Sequence, residues 1–302
     1  MRSLYITAFC SIVCICVSAQ PAKYFKKSAK KSFDLSIEVA QDSLKKIGYE
    51  LINNPDVSER RKNSEKFIKT LVPALKNNEF SYYYPFDSVK SIAKVYSPDN
   101  KFRIFNWNVM DSYGEYRYFG AIQLNSKELE LIPLFDNSKY TKFPEDSIYN
   151  NNSWYGAHYY DIIKTKYKKN DYYAILGWKG NNRFSTKKVI EILTFNKDGK
   201  AVFGAPIINH NGKVKNRIVF EFTAQVSMLL RYDENKDIIV FDHLSPPSPN
   251  AAEFYETYGP DLSYDALKWQ KDKYIHLEDL KLRNDPIPND KLYNDPNEKT
   301  KN

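Results

Sequence analysis

At Ser97 the spacing of apolar residues changes from near 3.6 to near 2, and this switch constrains the fold more than any motif in the chain. Before it, Phe33, Ile37, Ala40, Leu44, Ile47 and Leu51 recur at steps of four and three. They draw one apolar stripe along a helix whose other faces carry Glu38, Gln41, Lys45 and Lys46. Asn53-Asn54-Pro55 ends that helix, and Asp56 or Ser58 can cap a second whose stripe includes Phe67, Leu71 and Leu75. Pro73 is expected to kink or break the second helix, and a short third one is expected from Asp87 or Ser88, presenting Val89, Ile92 and Ala93.

After the Ser97-Pro98-Asp99-Asn100 turn, runs of aromatic and β-branched residues follow one another without a helical interval. The runs are Phe102 to Val109, Tyr116 to Leu124, Leu129 to Phe135, Tyr155 to Thr165, Tyr172 to Trp178, Val189 to Phe195, Lys215 to Phe222, Ser227 to Tyr232 and Ile238 to His243. Asp198-Gly199 and Asn211-Gly212 supply turn residues that tolerate positive φ. The expected class is therefore α+β: an N-terminal helical layer followed by a mostly antiparallel β-meander, as an open sheet, a sandwich or a propeller-like array. Ser245 to Tyr264 reads as a long ordered loop, and Leu267 to Leu277 as a last strand-like piece.

The first nineteen residues, MRSLYITAFCSIVCICVSA, read as a secretory signal peptide with a cut before Gln20. Cys10, Cys14 and Cys16 all lie within it, so a cleaved chain has no disulfide, no cysteine nucleophile and no thiolate metal site. The expected organisation is residues 1–19 as leader, 20–96 helical, 97–282 antiparallel β, and 283–302 a disordered polar tail. An apolar content of 42% is enough for a packed core, and no later apolar run is long enough to insert into a membrane. The net charge of +8 draws on Lys23 to Lys31 and Lys164 to Lys169. These read as a solvated arm and an exposed turn; no nucleic-acid motif accompanies them.

Few constellations point to chemistry. His158, His210, His243 and His276 fall in no HxH or HExxH spacing; Asp242-His243 and His158 with Asp161 are the nearest acid and imidazole neighbours. Structural or surface histidines are the plainer reading. Asp233, Asn235 and Asp237 alternate like the start of a calcium loop, but Ile238 replaces the glycine and no glutamate closes it, so a β-turn is expected. The two SxxK matches, at Ser28 and Ser91, lack further partners, and there is no GxSxG elbow. Glu115, Asp161, Glu191, Glu221, Asp242 and Glu253 are the carboxylates from which an acid–base pair would be drawn. Neither a cofactor nor a metal is expected.

Aromatic residues are more suggestive, because tyrosine and tryptophan faces stack on sugars and anchor interfaces. Trp154, Tyr155, Tyr159 and Trp178 in one stretch, with Tyr255, Tyr258 and Trp269 in another, are the candidate binding residues; a core role is the alternative. Asp42-Ser43-Leu44, Asp87-Ser88-Val89 and Asp146-Ser147-Ile148 match the Asp-Ser/Thr-aliphatic acceptor of bacterial O-glycosylation, which makes Ser43, Ser88 and Ser147 candidate acceptors.

The segments NSWYGAHYYDI, YYAILGWKGNN, SMLLRYDENKDIIVFDHLSP and YGPDLSYDAL resemble a group of exported proteins of Bacteroidota that has no assigned activity. The likeness covers about the second half of the chain and carries no catalytic residue over. It implies a periplasmic or extracellular address, and the lack of a β-rich sorting domain favours the periplasm. The expectation is an exported, non-enzymatic binding or envelope-associated protein that holds a glycan or an envelope protein; the alternative is a polysaccharide hydrolase using Asp and Glu.

Overall fold

A computed structural model describes residues 35–280. The leader with its three cysteines, the Lys23–Lys31 run and the tail from Arg283 lie outside the described residues. Two helices come first, α1 (Leu35–Asn53) and α2 (Val57–Lys76). The apolar stripe is buried at Ile37, Leu44, Ile47 and Leu51, and it meets Phe67, Leu71, Ala74 and Leu75 of α2. Asp56 caps α2 by accepting from Ser58 N at 2.7 Å. Pro73 does not break the helix: it stands within its last turn, where only one donor is lost, and its own carbonyl still accepts from Asn77 N at 2.9 Å.

Sixteen strands follow: β1 (Ala93–Tyr96), β2 (Phe102–Met110), β3 (Tyr116–Leu124), β4 (Leu131–Phe135), β5 (Tyr149–Asn150), β6 (His158–Tyr167), β7 (Asn170–Gly180), β8 (Ser185–Phe195), β9 (Ala201–Phe203), β10 (Ile208–His210), β11 (Lys213–Lys215), β12 (Ile218–Thr223), β13 (Leu230–Asp233), β14 (Ile238–Ser245), β15 (Gly259–Gln270) and β16 (Lys273–Leu277). The class is α+β and nearly all pairing is antiparallel. The first sheet has the order β1-β2-β3-β4. The second runs β5-β9-β8-β7-β6, with β12 paired to the first half of β8. The third is β11-β10-β16-β15-β14-β13, and its β10–β16 pairing is parallel.

Alternation along the strands stacks these elements into layers. Phe105, Trp107 and Val109 face the helices, and Trp107 Nε1 donates to Ser64 Oγ of α2 at 2.8 Å. Phe102 and Ile104, on the other face of β2, pack with Ile162, Tyr173, Ile175 and Leu193 of the second sheet. Ala174, Leu176, Ile190 and Ile192 point the opposite way, onto Ile239, Phe241 and Leu267 of the third. The second sheet is covered on both faces, and Tyr173–Leu176 and Val189–Leu193 are buried without a break. Each such apolar side chain contributes about 1.5–3 kcal/mol.

The expected third helix is absent. Phe86 takes φ 53°, the chain turns through 87–92, and Ala93–Tyr96 pairs with β2. Val89 and Ile92 are buried against the helices, so the apolar spacing served packing rather than a helical period. The strand-like piece Leu267 to Leu277 is a hairpin of β15 and β16, turned at Lys271 and Asp272 with φ 50° and 63°. A Lys-Asp turn carries none of the glycine signal that marks such hairpins. Lys168 and Lys169, at φ 47° and 68°, turn β6 into β7, so the basic run ends in an exposed hairpin.

Arg217 pins the irregular excursion between β4 and β6 to the second sheet. Its Nε donates to both oxygens of buried Glu191, at 3.0 and 2.9 Å. Its Nη1 donates to the carbonyls of Pro144 and Ser147, its Nη2 to that of Phe203, and the guanidinium lies 4.6 Å from the Tyr149 ring. Among the described residues no helix is long and apolar enough to cross a membrane.

Candidate functional site

The first group of candidate aromatics is consumed by the core. Trp154, Tyr155 and Tyr159 are buried; Trp154 Nε1 donates to the Tyr159 hydroxyl at 2.8 Å, and Tyr155 lies over the Lys179 ammonium at 4.7 Å. They present no face to a ligand, which corrects the expectation for these three residues. The cause is inter-sheet packing: Trp154 lies edge-on to Tyr118 of β3, and Tyr159 N donates to Asn106 Oδ1 of β2. Trp178 and Trp269 are half-buried, edge-on to Tyr116 and Tyr274 respectively. Tyr258 is half-buried and its hydroxyl donates to Ala252 O at 2.8 Å. Of the seven, only Tyr255 is more exposed than buried.

Tyr255 belongs to a short turn, Tyr255–Thr257, within the 246–258 connection between β14 and β15. That connection is shorter than the loop expected up to Tyr264, because β15 already pairs with β14 from Gly259 onward. The turn is closed by Thr257 N donating to Phe254 O at 2.9 Å and Tyr258 N to Tyr255 O at 3.1 Å. It is tied to the second sheet by Thr223 N donating to Tyr258 O at 2.9 Å.

Between this turn, the end of β12 and the start of β8 lies a cleft of about 640 Å³. Its wall includes Asn182, Ser185, Glu221, Thr223, Gln225, Glu256 and Thr257, with Arg183 and Phe184 at one side. Glu221 accepts from Ser185 Oγ at 2.6 Å and Asn181 Nδ2 at 3.0 Å, and pairs with Lys187 at 3.0 Å. The carboxylate is thus fixed and neutralised. Phe184 in this wall is 61% exposed, and Phe254 and Tyr255, just before Glu256 in the chain, are 54% and 59% exposed; Arg183 stands 4.6 Å from the Phe184 ring. Phe184 and Glu256 escaped the sequence reading; a lone Phe between Arg and Ser carries no periodic signal.

The other candidate carboxylates are dispersed. Glu191 is committed to Arg217, Asp242 accepts from Leu229 N at 2.7 Å, Asp161 accepts from Ile162 N, and Glu115 and Glu253 are exposed. Ser43 is exposed on α1 and Ser147 is partly exposed, its hydroxyl donating to Phe143 O. The Ser88 hydroxyl is buried, which removes its access as an O-glycosylation acceptor.

Three of the four histidines converge, through a partner that the sequence did not mark. Asp265, buried on β15, accepts from His243 Nδ1 at 2.8 Å and from Asp279 N at 3.1 Å. His276 Nε2 lies 3.1 Å from the same carboxylate oxygen, close as an ion pair but not aligned as a hydrogen bond. The His210 and His276 rings are 4.6 Å apart. The bond to Asp265 pushes the His243 imidazole up, whereas burial, with the neighbouring His276, pushes His210 down to about 4. His158 stands apart: burial pushes it down to about 4 and its Nδ1 meets no partner among the described residues. The signal for Asp265 was parity, since it shares the inward face with Leu267 two residues on. Among the described residues no group of three or more His, Cys, Asp or Glu side chains is arranged to hold a metal ion.

The Asp233–Asp237 segment is a turn stabilised from within: Asn235 N donates to Asp233 Oδ1 at 3.2 Å and the Tyr232 hydroxyl to Asp237 Oδ1 at 2.6 Å. A scan against protein-family models finds no match to this chain, and a search of curated proteins finds none.

Proposed function

We propose that this chain is an exported, non-enzymatic binding protein that holds a glycan of the cell envelope in the cleft between β8, β12 and the 254–258 turn. One observation carries the reading: the exposed Phe184 ring stands in the wall of a polar cleft, and the turn that supplies Glu256 and Thr257 to that wall also carries the exposed rings of Phe254 and Tyr255. Sugars present apolar faces and hydroxyl edges together, which rings and fixed polar groups can meet at once. Glu221 and the hydroxyls of Ser185, Thr223 and Thr257 supply those groups. The layered sheets act as a sandwich-like scaffold beneath them.

The competing hydrolase reading needs an acid and a base that face one another. Glu221 already has Lys187, Ser185 and Asn181 on its two oxygens, which supports binding over acid–base work. Export rests on the leader composition and on the likeness to exported Bacteroidota proteins; a native N-terminus at Gln20 is its direct test. Binding is tested by a glycan array on the purified chain, followed by titration of any retained glycan. The Phe184→Ala/Tyr255→Ala pair should weaken it by about tenfold or more. Retention of no glycan, or an affinity untouched by both substitutions, would overturn the reading. An envelope protein captured instead of a glycan would shift the partner and keep the surface.

A further inference from the structure

The connection that carries Glu256 and Thr257 into the cleft leaves the third sheet after β14 and returns on β15. At its two feet stand five groups in alternation, carboxylate and imidazole: Asp261, His243, Asp265, His276 and Glu278. The successive separations are 4.0 Å from Asp261 Oδ2 to His243 Nε2, 2.8 Å from His243 Nδ1 to Asp265 Oδ2, 3.1 Å from Asp265 Oδ2 to His276 Nε2, and 3.9 Å from His276 Nδ1 to Glu278 Oε1. The middle of the row is buried, with side-chain exposures of 5% for Asp265 and 7% for His276, whereas His243 is 44% exposed.

The placement of His243 is a product of local irregularity. Pairing between β14 and β15 shifts register between Asp242 and Leu244, so the residue in between is re-aimed toward Asp265. On the other foot, Leu262 takes φ 75° and Asp261 accepts from both the amide and the hydroxyl of Ser263, at 3.1 and 2.7 Å. The Asp261 carboxylate is thereby fixed facing His243 Nε2.

We propose that this row is a proton-operated clasp: charging His243 tightens the β14–β15 ladder where its register shifts, at the foot of the 246–258 connection, and steadies the turn that walls the cleft. The inference rests on the binding reading of that cleft for its purpose, though not for its physics. With His243 neutral, Asp261 and Asp265 approach one imidazole from opposite sides without a cation between them. With His243 charged, one proton satisfies both. Every group packed around it has a defined part. Asp265 and Asp261 on β15 attract the imidazolium, as does Glu278 beyond β16 at longer range. His276 on β16 lies 3.1 Å from the same oxygen of Asp265 and its side chain is itself buried, and burial pushes His210 on β10 down to about 4. Asp242, the neighbour on β14, is held by Leu229 N, and Lys215 near His210 is paired to Glu145 and Asp146 at 3.2 Å each. The proton therefore enters at His243, the exposed imidazole.

The sign follows from the hydrogen bond to Asp265. Because it raises the His243 pKa above 6.5, the clasp is fully closed below that value and opens as pH rises through the folded pKa. Backbone hydrogen exchange of the full chain, without ligand, reads this directly at the amides of Phe254, Thr257 and Tyr258, which close the turn. After correction for the intrinsic pH dependence of exchange, protection at pH 5.5 should exceed that at pH 8.5 by about three- to tenfold. His243→Gln should abolish the difference. Asp261→Asn should reduce it, and this rim substitution leaves the bond to buried Asp265 in place and the fold intact. Equal protection at both pH values in the natural chain, or a pH response that survives both substitutions, overturns the clasp. Glycan titration at the same two pH values separates the two ideas: no retention at either, with the exchange response present, removes the binding reading alone.

Discussion

The aromatic stretches at 154–160 and 254–258 look alike in sequence and end in opposite environments. In the first, polar tips are met inside the molecule: Trp154 Nε1 donates to the Tyr159 hydroxyl, and the Tyr160 hydroxyl donates to Leu230 O at 2.8 Å. In the second, the backbone satisfies itself in tight turns and the rings of Phe254 and Tyr255 are left facing outward. Aromatic density alone does not decide between core and surface. The decision comes from whether a second sheet offers partners to the polar end of each ring.

The contrast can be broken first at the supports of the buried stretch. Arg217→Met would leave Glu191 as an unpaired charge in the core and release the carbonyls of Pro144 and Ser147, at a loss of about 3–5 kcal/mol in urea unfolding. A loss below about 1 kcal/mol would show that the pair is dispensable. Trp154→Ala should cost a comparable amount, about 3–5 kcal/mol, by opening a cavity between the first and second sheets.

Acid provides the next test. His158 and His210 are both held down to about 4 by burial, so the fold favours their neutral forms. Their contribution is present above pH 6.5 and is lost as pH falls toward 4, at no more than about 1.4 kcal/mol per pH unit for each. The raised His243 acts in the opposite sense, but it is half exposed and screened. Stability should therefore fall between pH 6.5 and 4.5, and His158→Phe should remove about half of the fall. A denaturation midpoint that does not move across that range would refute the account. The smallest stability effect belongs to the open stretch. Tyr255→Ala should change stability by less than about 0.5 kcal/mol, against several for Trp154→Ala, and a large loss there would mean that the turn is part of the core.

The class of the fold and most strand positions were legible because alternation and turn chemistry act locally. Ile37, Leu44 and Leu51 declared a helix, and Asn211-Gly212 declared a turn, within a few residues of themselves. What remained hidden depends on distant pairing. Ala93–Tyr96 became a strand because β2 offered it an edge, and Lys271-Asp272 turns a hairpin that its own residue types do not favour. The same holds for the sites. Asp265 belongs with His243 and His276 only once three strands lie side by side, and Phe184 matters only because the 254–258 turn lands beside it.

The parallel pairing of β10 with β16 sets an order of events as the chain folds. Ile208 and Asn209 must wait for Tyr274 and Ile275, from the far end of the described chain, while β14 and β15 can already zip as a local pair. Closure across such a separation is slow compared with hairpin formation, so β10 and β11 present an open edge in the interim. The same seam brings His210 beside His276, so the imidazole cluster is completed only when the third sheet is.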